Sequence, residues 1–105
     1  MASILVVDDE LSMREFLTIL LEKEGYGVRA AADGKSALAL LEAQPFDLVI
    51  SDIRMPGSSG LELLAQLNER FPRLPVIIMT AHSDLDSAVA SYQGGAFEYL
   101  PKPFD

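Results

Sequence analysis

Two apolar runs in this chain end in carboxylates, and these are the residues whose type and spacing could do chemistry. In Leu48-Val49-Ile50-Ser51-Asp52 the run stops at Asp52, and after Ile53-Arg54-Met55 the turn material Pro56-Gly57-Ser58-Ser59-Gly60 follows. In Ile4-Leu5-Val6-Val7 the run stops at Asp8-Asp9-Glu10. A single strand-end aspartate is ordinary turn chemistry, its carboxylate bonding nearby backbone. Two parallel strands lying side by side, however, bring Asp8, Asp9 and Asp52 to one rim, where crowded carboxylates repel unless a cation or shared protons offset the charge. Oxygen donors select a hard ion, so Mg²⁺ is the expected cofactor. A third run, Val76-Ile77-Ile78-Met79, delivers Thr80 and then His82-Ser83-Asp84, and Phe97-Glu98-Tyr99-Leu100 leads into Pro101-Lys102-Pro103.

The elements that must position these residues alternate strand and helix. Ser12 and Glu15 stand at capping-box spacing, and Met13, Phe16, Leu17, Leu20 and Leu21 follow at the intervals of one apolar helical face that stops at Gly25. Val28-Arg29-Ala30-Ala31-Ala32, between Gly27 and an Asp33-Gly34 turn, reads as a strand despite alanine's preference for helix. A second helix from about Lys35 carries Ala37, Leu38 and Leu41 and is closed by Pro45. Ser59 and Glu62 repeat the capping-box spacing ahead of Leu63, Leu64, Leu67 and Phe71, with Pro72 ending that helix. The uniformly apolar 76–79 run reads as a strand covered on both faces. Leu85, Ala88, Val89 and Tyr92 mark a fourth helix closed by Gly94-Gly95, and residues 97–100 form a short fifth strand that Pro101-Lys102-Pro103 stops. Five strands separated by single helices require right-handed crossovers and a parallel sheet covered on both faces, an α/β fold. The flavodoxin-like, doubly wound order 2-1-3-4-5 sets strands one and three side by side at the switch point and so unites the acids.

Composition narrows the function. The 105 residues suit one domain, and with half of them hydrophobic and 23% charged they belong with compact globular chains rather than disordered ones. There is no cysteine, which removes disulfides, thiol nucleophiles and thiolate metal sites. The formal charge of −8 argues against a direct grip on nucleic acid. No apolar stretch reaches membrane-spanning length and the first residues lack the basic flank of a signal peptide, so a cytoplasmic protein with no membrane partner is expected.

Taken together, Asp8-Asp9, Asp52 with Met55-Pro56-Gly57, Thr80-Ala81 and Lys102-Pro103 make the chain resemble the receiver domain of bacterial two-component response regulators, over essentially all of 1–105. Met79-Thr80-Ala81-His82-Ser83-Asp84 and the segment from Gly95 to Phe104 are most similar to the nitrogen-regulatory receivers, which are joined to AAA+ ATPases with DNA-binding domains that activate sigma-54 polymerase. The resemblance implies that Asp52 accepts a phosphoryl group from a sensor histidine kinase. It also implies that Asp9, Asp52 and the backbone carbonyl of Arg54 ligate Mg²⁺, with Asp8 acting through a metal-bound water. Thr80 and Lys102 would clamp the phosphoryl group, with the Lys102-Pro103 bond cis, and Thr80, Tyr99 and His82 would form the switch. Such a domain is a phosphoacceptor that assists its own phosphorylation and dephosphorylation rather than an enzyme.

Each residue also has an ordinary reading. Thr80 alone could cap a helix, Lys102 could be a solvated lysine, Tyr99 could be edge-strand packing and His82 a loop residue with no second histidine or cysteine to share a metal. Met13, Met55 and Met79 read as core filler. A haloacid-dehalogenase-like phosphatase also uses a strand-end aspartate with Mg²⁺ but needs an acid two residues later, where this chain has Arg54. A flavodoxin-like cofactor domain needs a phosphate-cradling first loop, and Asp8-Asp9-Glu10 repels phosphate. The receiver resemblance finally calls for one more helix after Pro103, packed beside the first. The chain given stops at Asp105, so the expectation is a receiver truncated before its last helix, a fragment of a longer regulator or a chain that covers the gap by self-association as a homodimer.

Overall fold

The computed structural model describes residues 2–52, 54–55, 58–81 and 98–102, with side chains over 2–52 and 62–79. Strands β1 (Ser3–Val7), β2 (Gly27–Ala31) and β3 (Leu48–Asp52) alternate with helices α1 (Leu11–Lys23) and α2 (Gly34–Ala43). The chain continues through the two-residue strands β4 (Arg54–Met55) and β5 (Ser58–Ser59), helix α3 (Gly60–Arg70), β6 (Val76–Ala81) and β7 (Glu98–Lys102). The main sheet is parallel in the order β2-β1-β3-β6-β7, which is the expected 2-1-3-4-5 once the small β4–β5 ribbon is set aside. That ribbon is antiparallel, Arg54 facing Ser59 and Met55 facing Ser58, directly beyond Asp52.

Strand alternation sends neighbouring residues to opposite faces and builds two cores. Leu5, Val7, Val49, Val76 and Ile78 join Ala37 and Leu41 of α2 and Leu63, Leu64 and Leu67 of α3 on one face. Ile4, Val6, Ile50 and Met79 meet Leu17 of α1 on the other, with Met13 and Leu21 packed alongside. The expected apolar faces of α2 and α3 are thus borne out, and that of α1 only in part. Phe16 and Leu20 are 43% and 38% exposed, because the sheet under α1 meets only the Met13, Leu17 and Leu21 line of the helix.

The helix ends show how local chemistry sets the boundaries. Gly25, at φ +95°, follows α1 in the left-handed region that glycine adopts without strain. Its N–H donates to the Glu22 carbonyl at 3.0 Å and the Tyr26 N–H to that of Leu21 at 3.1 Å, the paired bonds of a Schellman stop. The capping box expected at Ser12 and Glu15 does not form. Helix α1 starts two residues earlier, at Leu11, with Glu10 as its cap residue and no side-chain cap bond, so Ser12 already lies within the first turn. At α2 the cap is Asp33, whose carboxylate accepts from the Ser36 N–H at 2.7 Å, and the helix begins at Gly34 rather than Lys35.

Two strand ends also differ from expectation. Strand β6 extends past Met79 to include Thr80 and Ala81, and β7 runs through Pro101 to Lys102 instead of stopping before it. Strand β7 is the last strand of the described sheet, the position at which a strand tolerates proline. The expected fourth helix at 85–92, with His82, Phe97 and the Lys102-Pro103 bond, lies outside the described residues. Among the described residues, no helix is long and apolar enough to cross a membrane.

Candidate functional site

The register assembles the acidic rim. Strands β1 and β3 pair Val7 with Ser51, so the next residues, Asp8 and Asp52, stand level at the C-terminal ends of adjacent strands. Strand β6 pairs Met79 with Asp52, which sets Thr80 one step beyond it, and β7 pairs Pro101 with Thr80 and Lys102 with Ala81. The backbone therefore carries Asp8, Asp52, Thr80 and Lys102 to one edge of the sheet on four neighbouring strands. Tyr99 lies farther back on β7, beside Ile78, and Arg54 opens the ribbon two residues after Asp52. Of the candidate site residues Asp8, Asp9, Asp52, Arg54, Thr80, His82, Tyr99 and Lys102, only His82 lies outside the described residues.

Burial differs sharply among the acids. Asp8 is fully buried, Asp52 is 7% exposed, and Asp9 and Glu10 are exposed. The Asp8 N–H donates to the Ala31 carbonyl at 3.0 Å, carrying the β1–β2 ladder one residue past the strand end. One Asp8 carboxylate oxygen accepts from the Glu10 N–H at 2.9 Å, folding the loop back on itself. The Arg14 guanidinium donates from Nη1 to the Asp8 carbonyl at 2.7 Å. Beside Asp52, the Ser51 hydroxyl donates to the Asp52 carbonyl at 3.0 Å, which satisfies a buried hydroxyl.

Carboxylate oxygens of Asp8, Asp9 and Glu10 lie within 4.8 Å of one another. One buried and two water-facing oxygen donors suit a hard divalent cation, which combines carboxylates with retained waters. Glu10 is the addition here: the sequence shows it in the acid run, but only the fold of the loop brings its carboxylate alongside the two aspartates. Asp52 stands one strand away from that group. A separate cavity of about 720 Å³ opens at the opposite end of the sheet, between the α2–β3 and α3–β6 connections, lined by residues such as Pro45, Phe46, Phe71 and Leu74. None of the acids of the rim contributes to it; its lining mixes Pro45, Phe46, Phe71 and Leu74 with the charged Glu42, Asp47 and Arg73.

Comparison with known proteins points the same way as the rim. The response regulator receiver domain model matches residues 4–105. The DNA-binding transcriptional regulator NtrC of Salmonella typhimurium is 55% identical over 100 residues, covering 95% of this chain and 21% of that protein. The response regulator protein PilR of Pseudomonas aeruginosa is 43% identical over 101 residues, covering 96% of this chain and 23% of its own length. The chain thus spans about a fifth of each of these relatives. Among solved structures, the response regulator protein TrrA of Thermotoga maritima in complex with Mg²⁺-BeF superposes with a TM-score of 0.89 at 41% identity, over 100% of this chain and 90% of that one.

Proposed function

The chain belongs to the response regulator receiver domain family, and on that premise we propose that it is the phosphoacceptor domain of a two-component system, with Asp52 as the acceptor. The observation that carries this reading is the level placement of Asp52 and Asp8 on adjacent strands, with Thr80 and Lys102 on the next two. A carboxylate oxygen of Asp52 attacks the phosphorus of a phosphohistidine on a sensor kinase. The O–P bond forms as the P–N bond breaks, and the imidazole leaves with the electron pair and takes a proton from water.

Asp8, Asp9, Asp52 and the Arg54 carbonyl are the groups that would hold Mg²⁺, Asp8 by way of a water. When bound, the ion neutralises charge on the phosphoryl oxygens in transfer. The 41% identical relative in complex with Mg²⁺-BeF supports that assignment. The Lys102 ammonium and Thr80 hydroxyl complete the clamp, and Thr80, His82 and Tyr99 relay its occupancy. The acid run also leaves the domain unsuited to holding nucleic acid itself. In the full-length protein the output is a DNA-binding activator of the sigma-54 class, as the likeness to NtrC suggests. The protein acts in the cytoplasm.

Incubation with acetyl phosphate, with Mg²⁺ or with a chelator, followed by intact-mass measurement, tests the proposal. One phosphoryl group added only when Mg²⁺ is present is expected. Labelling that ignores the chelator, or steady release of phosphate from a monoester, would point to different chemistry.

A further inference from the structure

One cation is built into the acidic loop without belonging to the phosphoryl site. Arg14 lies in the first turns of α1, half-buried, and is bonded to the loop twice. Its backbone N–H donates to the Glu10 carbonyl at 3.1 Å, the bond that closes the start of the helix. Its side chain reaches back past that bond, and Nη1 donates to the Asp8 carbonyl at 2.7 Å. The same residue therefore holds the loop at both ends of Asp8-Asp9-Glu10.

We infer that Arg14 is a positioning residue for the metal-binding loop: it fixes the peptide joining Asp8 to Asp9, and with it the arrangement of the acid carboxylates. Three acids in succession favour an open loop, because their like charges gain by moving apart. Two bonds act against that from inside the loop, the Asp8 N–H to Ala31 and the Asp8 carboxylate to the Glu10 N–H. Neither restrains the Asp8 carbonyl. The Arg14 guanidinium does so with a charge-assisted bond, stronger than a neutral one. Geometry and charge here pull in opposite directions. A positive group near the acids by itself weakens attraction for Mg²⁺, whereas a loop held ready strengthens it. The inference is that the second effect wins.

This rests on the assignment of the loop as a Mg²⁺ site, and the test separates the two. Mg²⁺ is titrated calorimetrically into the unphosphorylated wild-type chain, Arg14→Met, Arg14→Lys and Asp9→Asn, with thermal melts of each in the absence of Mg²⁺. Arg14→Met keeps the apolar stem and removes both charge and donor, and Arg14→Lys keeps the charge with a shorter single-point donor. The expected result is Mg²⁺ affinity lower by about tenfold in Arg14→Met, the loss typical of one charge-assisted hydrogen bond, with part of it restored in Arg14→Lys. Affinity equal to or tighter than wild type in Arg14→Met, alongside a clear loss in Asp9→Asn, would overturn the role of Arg14 and leave the metal site standing. A lower melting temperature with unchanged affinity would do the same, making Arg14 an ordinary brace. If Arg14→Met does not fold, Arg14→Lys decides: affinity between about two- and tenfold below wild type supports the inference, and unchanged affinity overturns it. Wild-type protein that takes no Mg²⁺ would remove both readings at once.

Discussion

Asp8 and Asp9 are adjacent in sequence and differ in everything else. Asp8 is buried, with one carboxylate oxygen already accepting from the Glu10 N–H, whereas Asp9 is exposed and its carboxylate makes no hydrogen bond among the described residues. A group with no competing partner makes the better direct ligand, so Asp9→Asn is expected to weaken Mg²⁺ binding more than Asp8→Asn does. Titration followed by tyrosine fluorescence, unobscured because the chain has no tryptophan, checks this, and equal losses would contradict it. At Asp33 the hydrogen bond from the Ser36 N–H, aided by the Ser36 hydroxyl, holds the carboxyl below its ordinary value of 3.8. A lowered folded value means the cap stabilises α2 fully above 3.8 and loses that contribution as pH falls through the folded value. The melting temperature of Asp33→Ala should therefore lie below wild type at neutral pH, and the gap should shrink as the solution is acidified below pH 3.8. The strand-end acids were legible in the sequence because two separate apolar runs stop at carboxylates and a parallel sheet sets their ends side by side. Glu10 and Arg14 were not, because their placement depends on how the loop folds back, which no spacing encodes.

Among the elements, the parallel strands and the second and third helices were readable from period alone, since Leu63, Leu64 and Leu67 are buried as their spacing implies. Boundaries were harder. Ser12 and Glu15 have the right types for a capping box, yet α1 begins two residues too early for them, and the Asp8 carboxylate takes the Glu10 N–H instead. Pro101 looked like a stop and is tolerated within the border strand β7. Helix α3 contributes to the core that supports β3 and β6 from below, so Leu67→Ala, a fully buried truncation, should cost about 2–5 kcal/mol in denaturant unfolding. A cost no greater than that of an exposed substitution would mean that α3 does not pack as described. If phosphorylation pulls Thr80 toward Asp52, hydrogen exchange should change most between His82 and Leu100. Changes confined to residues before Asp33 would place the switch elsewhere.

For the whole molecule, the exposed side of α1 and the acid rim set the remaining expectations. Phe16 and Leu20 are apolar and 43% and 38% exposed. If a further helix covers them in a longer chain, Leu20→Ala should change stability by less than about 0.5 kcal/mol in residues 1–105 and by about 2 kcal/mol or more in the extended protein. The same small effect in both would show that nothing packs there, and a concentration-dependent mass in sedimentation would assign the cover to a second copy. The central claim is that this rim exists to carry a phosphoryl group on one particular acid. Asp52 and Asp8 stand level on adjacent strands, and both are largely withdrawn from water, so proximity alone does not choose between them. Borohydride reduction after phosphorylation by acetyl phosphate and Mg²⁺ converts an aspartyl phosphate to homoserine at the modified position, and peptide mass spectrometry then reads the site directly. Homoserine at position 52 alone, and no labelling of Asp52→Asn, is the predicted result. Homoserine at Asp8 or Asp9, or undiminished labelling of Asp52→Asn, would contradict the account.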